Sequence, residues 1–318
     1  MRPRIVCPSS SGGLAALFDS PALRARLEAV GEVQIADDVP DDAELTARVG
    51  AADAVLLSIH LPDDALRAAA GRLRLAAFTG TGAASYVSLP LAKELGVTVT
   101  NVVGYGDRAV AEHTLALLLA AARHVTVGDR AVRAGDWSGW PGLELAGATI
   151  AVIGFGGIGR TVARLAAALD MRVLVCDRSV DAAAAAQVQG EVVSMGEAFA
   201  RADVVSLHLP LNEQTRGIVT AGLLENLRPG SILVNTARGE LIERGALAAR
   251  LARGDVRAAL DVFDPEPLPS DDPLLSASHT VLTPHLGFRT PQALQRMAEG
   301  AVTCVEAFYA GRPVNVLT

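Results

Sequence analysis

Cysteine is scarce in this chain. Cys7, Cys176 and Cys304 lie far apart and are odd in number. They show neither metal-ligand spacing nor a disulfide framework, so no metal is expected and a reducing cytoplasm is the simplest compartment. An excess of positive charge is also missing: 28 Lys and Arg stand against 35 Asp and Glu, a formal net charge of −7. That balance argues against a nucleic-acid surface. No block of like charges suggests a disordered tail. There is no internal repeat or low-complexity linker, and the run over 182–186 is ordinary helix composition. The longest apolar run, residues 114–122, is too short to span a bilayer and is flanked by Glu112, His113 and Arg123. The opening Met1-Arg2-Pro3-Arg4-Ile5-Val6 lacks the apolar core of a signal peptide. The expectation is a soluble, cytoplasmic protein with no membrane or nucleic-acid partner.

What is present is apolar: 50% of 318 residues, enough for substantial cores in two domains. The stretch over 149–177 organises the rest. Thr149-Ile150-Ala151-Val152-Ile153 reads as a buried parallel strand. Gly154-Phe155-Gly156-Gly157-Ile158-Gly159 follows, then a helix over 160–169 and a second strand over 172–176 ending on Asp177. A dinucleotide-binding βαβ unit needs this order. Gly154 allows the tight turn, Gly156 lets backbone approach a pyrophosphate, and Gly159 lets the helix pack on the strand. The helix N-terminus offers unpaired N–H groups to phosphates. Asp177 stands where a carboxylate accepts both ribose hydroxyls of NAD and repels the 2′-phosphate of NADP. Arg178 and Ser179, directly after it, leave room for weaker use of NADP. A purely structural turn, or a site for another adenosine-bearing cofactor such as S-adenosylmethionine, are the rival readings.

Before this unit, strand candidates at 4–7, 33–35, 54–59, 75–78 and 97–101 alternate with amphipathic segments, which means a small parallel α/β sheet. The glycine turn Gly80-Thr81-Gly82-Ala83 has amides suited to a carboxylate, or is simply a tight strand exit. Residues 110–133 read as one long helix that bridges two domains or pairs with a second subunit. Later strands at 204–209, 232–235, 257–261 and 280–283 bring the second sheet to six, with its last helix, over 291–310, free to return to the first domain. Ligands in such sheets sit at the carboxyl ends of the strands, where His208, Arg238, Asp261 and His285 fall.

Arg238, Glu266 and His285 each follow a buried strand. Hydride transfer between carbon and nicotinamide needs a base for the alcohol proton, and His titrates nearest neutrality. A carboxylate beside it fixes the tautomer and favours imidazolium, while a guanidinium grips a carboxylate bidentately. A lone His after a strand is more often structural, and an Arg or Glu in a loop is usually just solvated. Their combination beside a dinucleotide unit shifts the balance.

At these residues the chain closely resembles the D-isomer-specific 2-hydroxyacid dehydrogenases. The matching stretches are Val110 to Leu119, the glycine turn with Asp177, Ala202 to Leu211, and Val234 to Gly239. Ala259 to Pro267, Thr283-Pro284-His285-Leu286-Gly287 and the Pro313-Val314-Asn315-Val316 ending complete the set. The resemblance implies an α/β fold: a doubly wound parallel-sheet (Rossmann) NAD-binding domain over 102–286, plus a smaller flavodoxin-like substrate domain from 1–101 and 287–318. It implies an NAD(H)-dependent enzyme interconverting a 2-keto acid and a D-2-hydroxy acid. Arg238 would hold the substrate carboxylate and keto oxygen, with His285 as acid/base and Glu266 as its partner. Thr81, Gly82 and Ala83 would help bind the carboxylate. Cofactor contacts would come from Gly154, Gly156, Gly157, Ile158, Gly159 and Asp177. Further contacts would come from His208, Pro210, Thr215, Thr236, Ala237, Arg238, Asp261 and His285. A homodimer through the NAD-binding domain is also implied.

The chain departs from the family at Ala83-Ala84-Ser85-Tyr86, where an Asp-Asn pair is usual, and at Phe288-Arg289, where small or aliphatic residues are usual. Arg289 is expected to face solvent, and His60 to be an exposed loop histidine. Glu266 argues against formate oxidation, which would place Gln there. Phosphite oxidation uses a similar triad. A non-catalytic NAD(H)-sensing corepressor or scaffold shares the fold, but no stretch resembles an appended recognition segment.

Overall fold

The computed structural model describes residues 2–180 and 182–318; Met1, the first residue of the opening run, lies outside them. The chain divides into two compact units. One runs to Gly106 and resumes at Thr290, and the other is Asp107–Arg289. The boundaries expected after 101 and 286 thus fall a few residues before the two crossings.

In the first unit, β1 (Arg4–Cys7), β2 (Glu32–Ile35), β3 (Ala54–Leu57), β4 (Leu75–Phe78) and β5 (Thr98–Thr100) form a parallel sheet. Their order, β2-β1-β3-β4-β5, is that of flavodoxin-like sheets. β3 and β4 are wholly buried, as strands covered on both faces must be. Val55, Leu57, Ala76 and Phe78 pack with Leu66 and Leu91 on one side. The helix Pro291–Tyr309 joins this unit, burying Ala293, Met297, Ala301 and Val305. Thr290 caps it by accepting the Ala293 N–H, and an Arg26–Glu306 ion pair of 2.6 Å ties it to the helix Pro21–Val30.

The second unit holds β6 (Thr149–Ile153), β7 (Arg172–Cys176), β8 (Glu191–Val192), β9 (Val204–Leu207), β10 (Ile232–Asn235), β11 (Arg257–Leu260) and β12 (Thr280–Leu282). All are parallel, in the order β12-β11-β10-β9-β6-β7-β8. Among the described residues the sheet has seven strands, not the six counted from sequence. The extra one, β8, is two exposed residues on the edge beside β7, too short and too polar for an apolar pattern to reveal. Strand order reverses between β6 and β9, so the crevice opens beyond Ile153 and Leu207.

The single helix expected over 110–133 is two, Asp107–Ala122 and Val125–Arg133. His124 between them is left-handed, with φ 56°, which no α-helix continues through. Carbonyls freed at the break are taken up: Leu143 N donates to Ala122 O at 2.8 Å, and the Arg257 guanidinium reaches Ala121 and Ala122. The first helix is buried along Ala111, Thr114, Leu118 and Ala122, whereas the second buries nothing. The helix Met195–Arg201, unread in the sequence, carries a reciprocal capping box between Ser194 and Glu197. Among the described residues, no helix is long and apolar enough to cross a membrane.

Candidate active site

Each glycine of the turn after β6 has a distinct reason to be glycine. Gly154 has φ +97°, and a Cβ there would fall 2.6 Å from the His208 carbonyl oxygen. A Cβ on Gly159 would meet Gly154 O at 2.0 Å, so the helix Gly157–Ala167 lies directly on the turn. A Cβ on Gly156 would meet nothing, and no side chain caps the helix it precedes. An open approach to uncapped helix N–H groups fits a pyrophosphate. Gly156 and Gly157 are exposed, and Ile158 is half-buried.

Asp177, directly after β7, accepts from Phe155 N at 2.7 Å, and from Ser179 N at 2.9 Å and Ser179 Oγ at 3.2 Å. Burial pushes its carboxyl up, but these bonds and the Arg178 charge hold it below the usual range. It is therefore an anion beside the glycine turn, suited to ribose hydroxyls. Arg178 itself donates to Gln214 Oε1 at 2.6 Å.

After β9, His208 N donates to Ile153 O at 2.7 Å, stitching the two strands of the crevice. Its Nε2 lies 2.8 Å from Ser206 Oγ, and burial of the ring lowers its pKa to about 3. Part of the residue still reaches solvent, but the imidazole is neutral. Thr215 is buried and donates to Pro210 O at 2.6 Å, closing that loop on itself. The Thr236 hydroxyl meets Thr114 Oγ1 at 2.8 Å. Ala237 N donates to Asn235 Oδ1, and Asn235 Nδ2 to Arg238 O, which shapes the turn that presents Arg238.

His285 Nδ1 lies 2.8 Å from Glu266 Oε2. The other carboxylate oxygen, Oε1, accepts from Phe263 N at 2.9 Å. Burial pushes the Glu266 carboxyl up, but the bonds from His285 and Phe263 and the charges of His285 and Arg238 bring it below its usual value. The Arg238 loop lies hard against the loop of Glu266, since a Cβ on Gly239 would fall 2.1 Å from the Phe263 carbonyl carbon. Arg238, Glu266 and His285 thus come together.

His285 is itself left-handed, with φ 52°, a conformation that strains an L-residue unless its surroundings impose it. Asp261 imposes it. Its carbonyl accepts His285 N at 2.8 Å. Its side chain accepts from Thr283 Oγ1 at 2.6 Å, Leu286 N at 2.8 Å and Gly287 N at 2.8 Å, and lies 3.2 Å from His113 Nε2. Asp261 was expected among the cofactor contacts, yet its carboxylate is 1% exposed and turned to these internal donors. Burial pushes it up, and the four bonds hold it ionised. His113 and Thr283 were not singled out by sequence, because their roles arise only through Asp261. Asp107 was missed as well: it reads as an ordinary first-turn acid, yet it lies against Gly157.

In the first unit, the turn after β4 is pinned by Asn101 Nδ2 on Thr81 O at 2.8 Å and by the Thr81 hydroxyl on Val102 O at 3.2 Å. Ala83 is buried, and Gly82 lies between them. His60 is exposed and, with Ser85 and Ser88, lines a pocket of ≈ 440 Å³. In the second unit, Arg289 stacks over the Phe288 ring at 5.7 Å, and that ring meets the His285 imidazole edge-on at 5.8 Å.

Residues 115–287 match the family described as D-isomer specific 2-hydroxyacid dehydrogenase, NAD binding domain. The hydroxypyruvate reductase of Blautia hydrogenotrophica is 34% identical over 303 residues, 92% of this chain and 93% of that protein. The chain belongs to this family. The D-3-phosphoglycerate dehydrogenase of Mycobacterium leprae is 41% identical over 278 residues, 86% of this chain. The match takes in 52% of that protein, so the chain spans about half the length of such curated relatives. Among solved structures, the TT0316 protein from Thermus thermophilus is 35% identical with a TM-score of 0.85, over 99% of this chain and 100% of the other. The second unit of this D-2-hydroxyacid dehydrogenase family member is accordingly a Rossmann domain that binds a nicotinamide dinucleotide, and its glycine turn fits that ligand.

Proposed function

We propose that this chain is an NAD-dependent oxidoreductase interconverting a 2-keto acid and a D-2-hydroxy acid. The observation that carries the reading is the 2.8 Å pairing of His285 with Glu266 at the carboxyl ends of the nucleotide-domain strands, with Arg238 on the adjoining loop. When bound, the nicotinamide supplies or accepts the hydride at the carbon bearing the oxygen. His285 delivers a proton to the forming alkoxide in reduction and removes one from the alcohol in oxidation. Glu266 orients the ring and offsets the imidazolium charge. Arg238 grips the substrate carboxylate and polarises its carbonyl. Asp261 holds the backbone of the His285 loop, while Asp177 favours NAD over NADP.

In this reading the first unit is the substrate domain, and the turn of Thr81, Gly82 and Ala83 is its substrate-binding element. A second copy pairs through the nucleotide domain. NADH oxidation monitored with glyoxylate, hydroxypyruvate, pyruvate and the keto acid of D-3-phosphoglycerate tests the proposal. Turnover of at least one, lost in His285→Ala, is the expected result. NADH binding with no turnover of any of them would leave a dinucleotide-binding protein of another function.

A further inference from the structure

The dinucleotide turn has a second carboxylate beside it, on a residue outside the glycine motif. Asp107 is the first residue of the helix Asp107–Ala122, which packs against the helix Gly157–Ala167. Its Oδ2 lies 1.9 Å, and its Cγ 2.7 Å, from where a Cβ on Gly157 would stand. With glycine at 157, this carboxylate occupies the space where a side chain would start. Gly157 is also the first residue of the uncapped helix whose N–H groups are the general docking point of a pyrophosphate. An internal anion and a ligand anion are therefore directed at one helix end.

We propose that Asp107 couples dinucleotide binding to proton uptake: its carboxylate is ionised in the free protein and becomes protonated when the pyrophosphate docks. This rests on the reading that the glycine turn holds a nicotinamide dinucleotide. Two like charges brought together in a partly buried site disfavour each other, and the carboxylate is the group that can relieve this by taking up a proton. Burial already pushes the Asp107 carboxyl above its usual value.

The charged groups around it have other partners. Arg108 and Glu112, on its own helix, pair with each other. His113, six residues along the same helix, is bound to Asp261 directly after β11. On the facing helix, Arg160 Nε donates to Phe155 O and its guanidinium lies over the Phe155 ring. Asp177 is held by Phe155 and Ser179 across the turn. None of these shifts Asp107, whose displacement has burial as its cause. A proton taken up there offsets one negative charge of the incoming ligand, so affinity rises as pH falls.

NADH titrated by fluorescence between pH 5.5 and 8.5, in the unmodified protein and in Asp107→Asn, tests this. The unmodified protein should bind several-fold more weakly at the upper end than at the lower. Asp107→Asn should bind about fivefold or more tightly than the unmodified protein at pH 8, with a flatter profile, a single linked proton allowing up to about tenfold per pH unit. Calorimetry near pH 6.5 in buffers of different ionisation enthalpy should show proton uptake in the unmodified protein alone. Superimposable profiles for the two proteins, or weaker binding by Asp107→Asn, would overturn the inference while leaving the dinucleotide site intact. Absence of NADH binding in both at every pH would instead strike the dinucleotide reading beneath it.

Discussion

Asp177 and Glu266 are both held charged against burial, by different partners, and their removal should have different consequences. Asp177→Ala takes away an acceptor for ribose hydroxyls and also the partner of Phe155 N. Catalytic efficiency with NADH should fall by roughly ten- to a hundredfold, since a hydrogen bond to a charged group contributes about 1.5–3 kcal/mol. Efficiency with NADPH should change far less. An unmodified protein that used NADPH as well as NADH would contradict this.

Glu266→Gln keeps the shape and deletes the charge that faces His285 at 2.8 Å. The ring then loses the charged acceptor that orients it, so turnover in both directions should fall by about tenfold, since a hydrogen bond to a charged group contributes about 1.5–3 kcal/mol. Rates in both directions decide the matter, and unchanged turnover would remove Glu266 as the partner. His285→Ala should instead depress both directions at every pH by roughly a hundredfold or more. Arg289→Ala should leave substrate ranking unchanged, because its guanidinium stacks on Phe288. These side chains were legible in the sequence because the chemistry demands those residue types at strand ends. Asp107, His113 and Thr283 were not, because each matters through a neighbour distant in sequence.

Among the elements, the turn after β6 was the most legible, since each glycine answers a separate backbone requirement. Gly159 is the most exacting. A methyl there would sit 2.0 Å from Gly154 O, a backbone atom that no rotamer change moves aside. Gly159→Ala should lower stability by about 1–3 kcal/mol, the usual range for overpacking, and weaken NADH binding with it. Unchanged thermal unfolding together with unchanged NADH affinity would show that helix and turn separate freely. Where reading from sequence failed, periodicity was the wrong guide. The apolar stripe of Asp107–Ala122 runs on into 125–133 as sequence, but the backbone turns left-handed at His124 and the burial stops. β8 failed for the opposite reason: an edge strand of Glu191 and Val192 borrows its hydrogen bonds from β7 and has no apolar signature of its own.

At the scale of the whole molecule, the nucleotide unit leaves apolar surface uncovered. The helix Val125–Arg133 buries no residue, and Val125, Val132, Trp137 and Trp140 are all exposed, Trp137 to 87%. The Trp140 ring lies 6.4 Å from that of His124, the residue before Val125, and exposed apolar groups gathered on one surface mark an interaction site. We infer that a second copy of this chain covers them, consistent with the homodimer that the family resemblance implies. Sedimentation at micromolar concentration should then give a dimer. Replacing Val132 and Trp137 together by Asp places two charges in the contact and should yield a monomer, because burying unpaired charge outweighs what an interface of ordinary size supplies. Circular dichroism and NADH binding by the double variant should stay near those of the unmodified protein, since neither residue supports the core or the glycine turn. A dimer that survives the double substitution would move the interface elsewhere. An unmodified protein that sediments as a monomer up to tens of micromolar would leave the two tryptophans without the partner assigned to them.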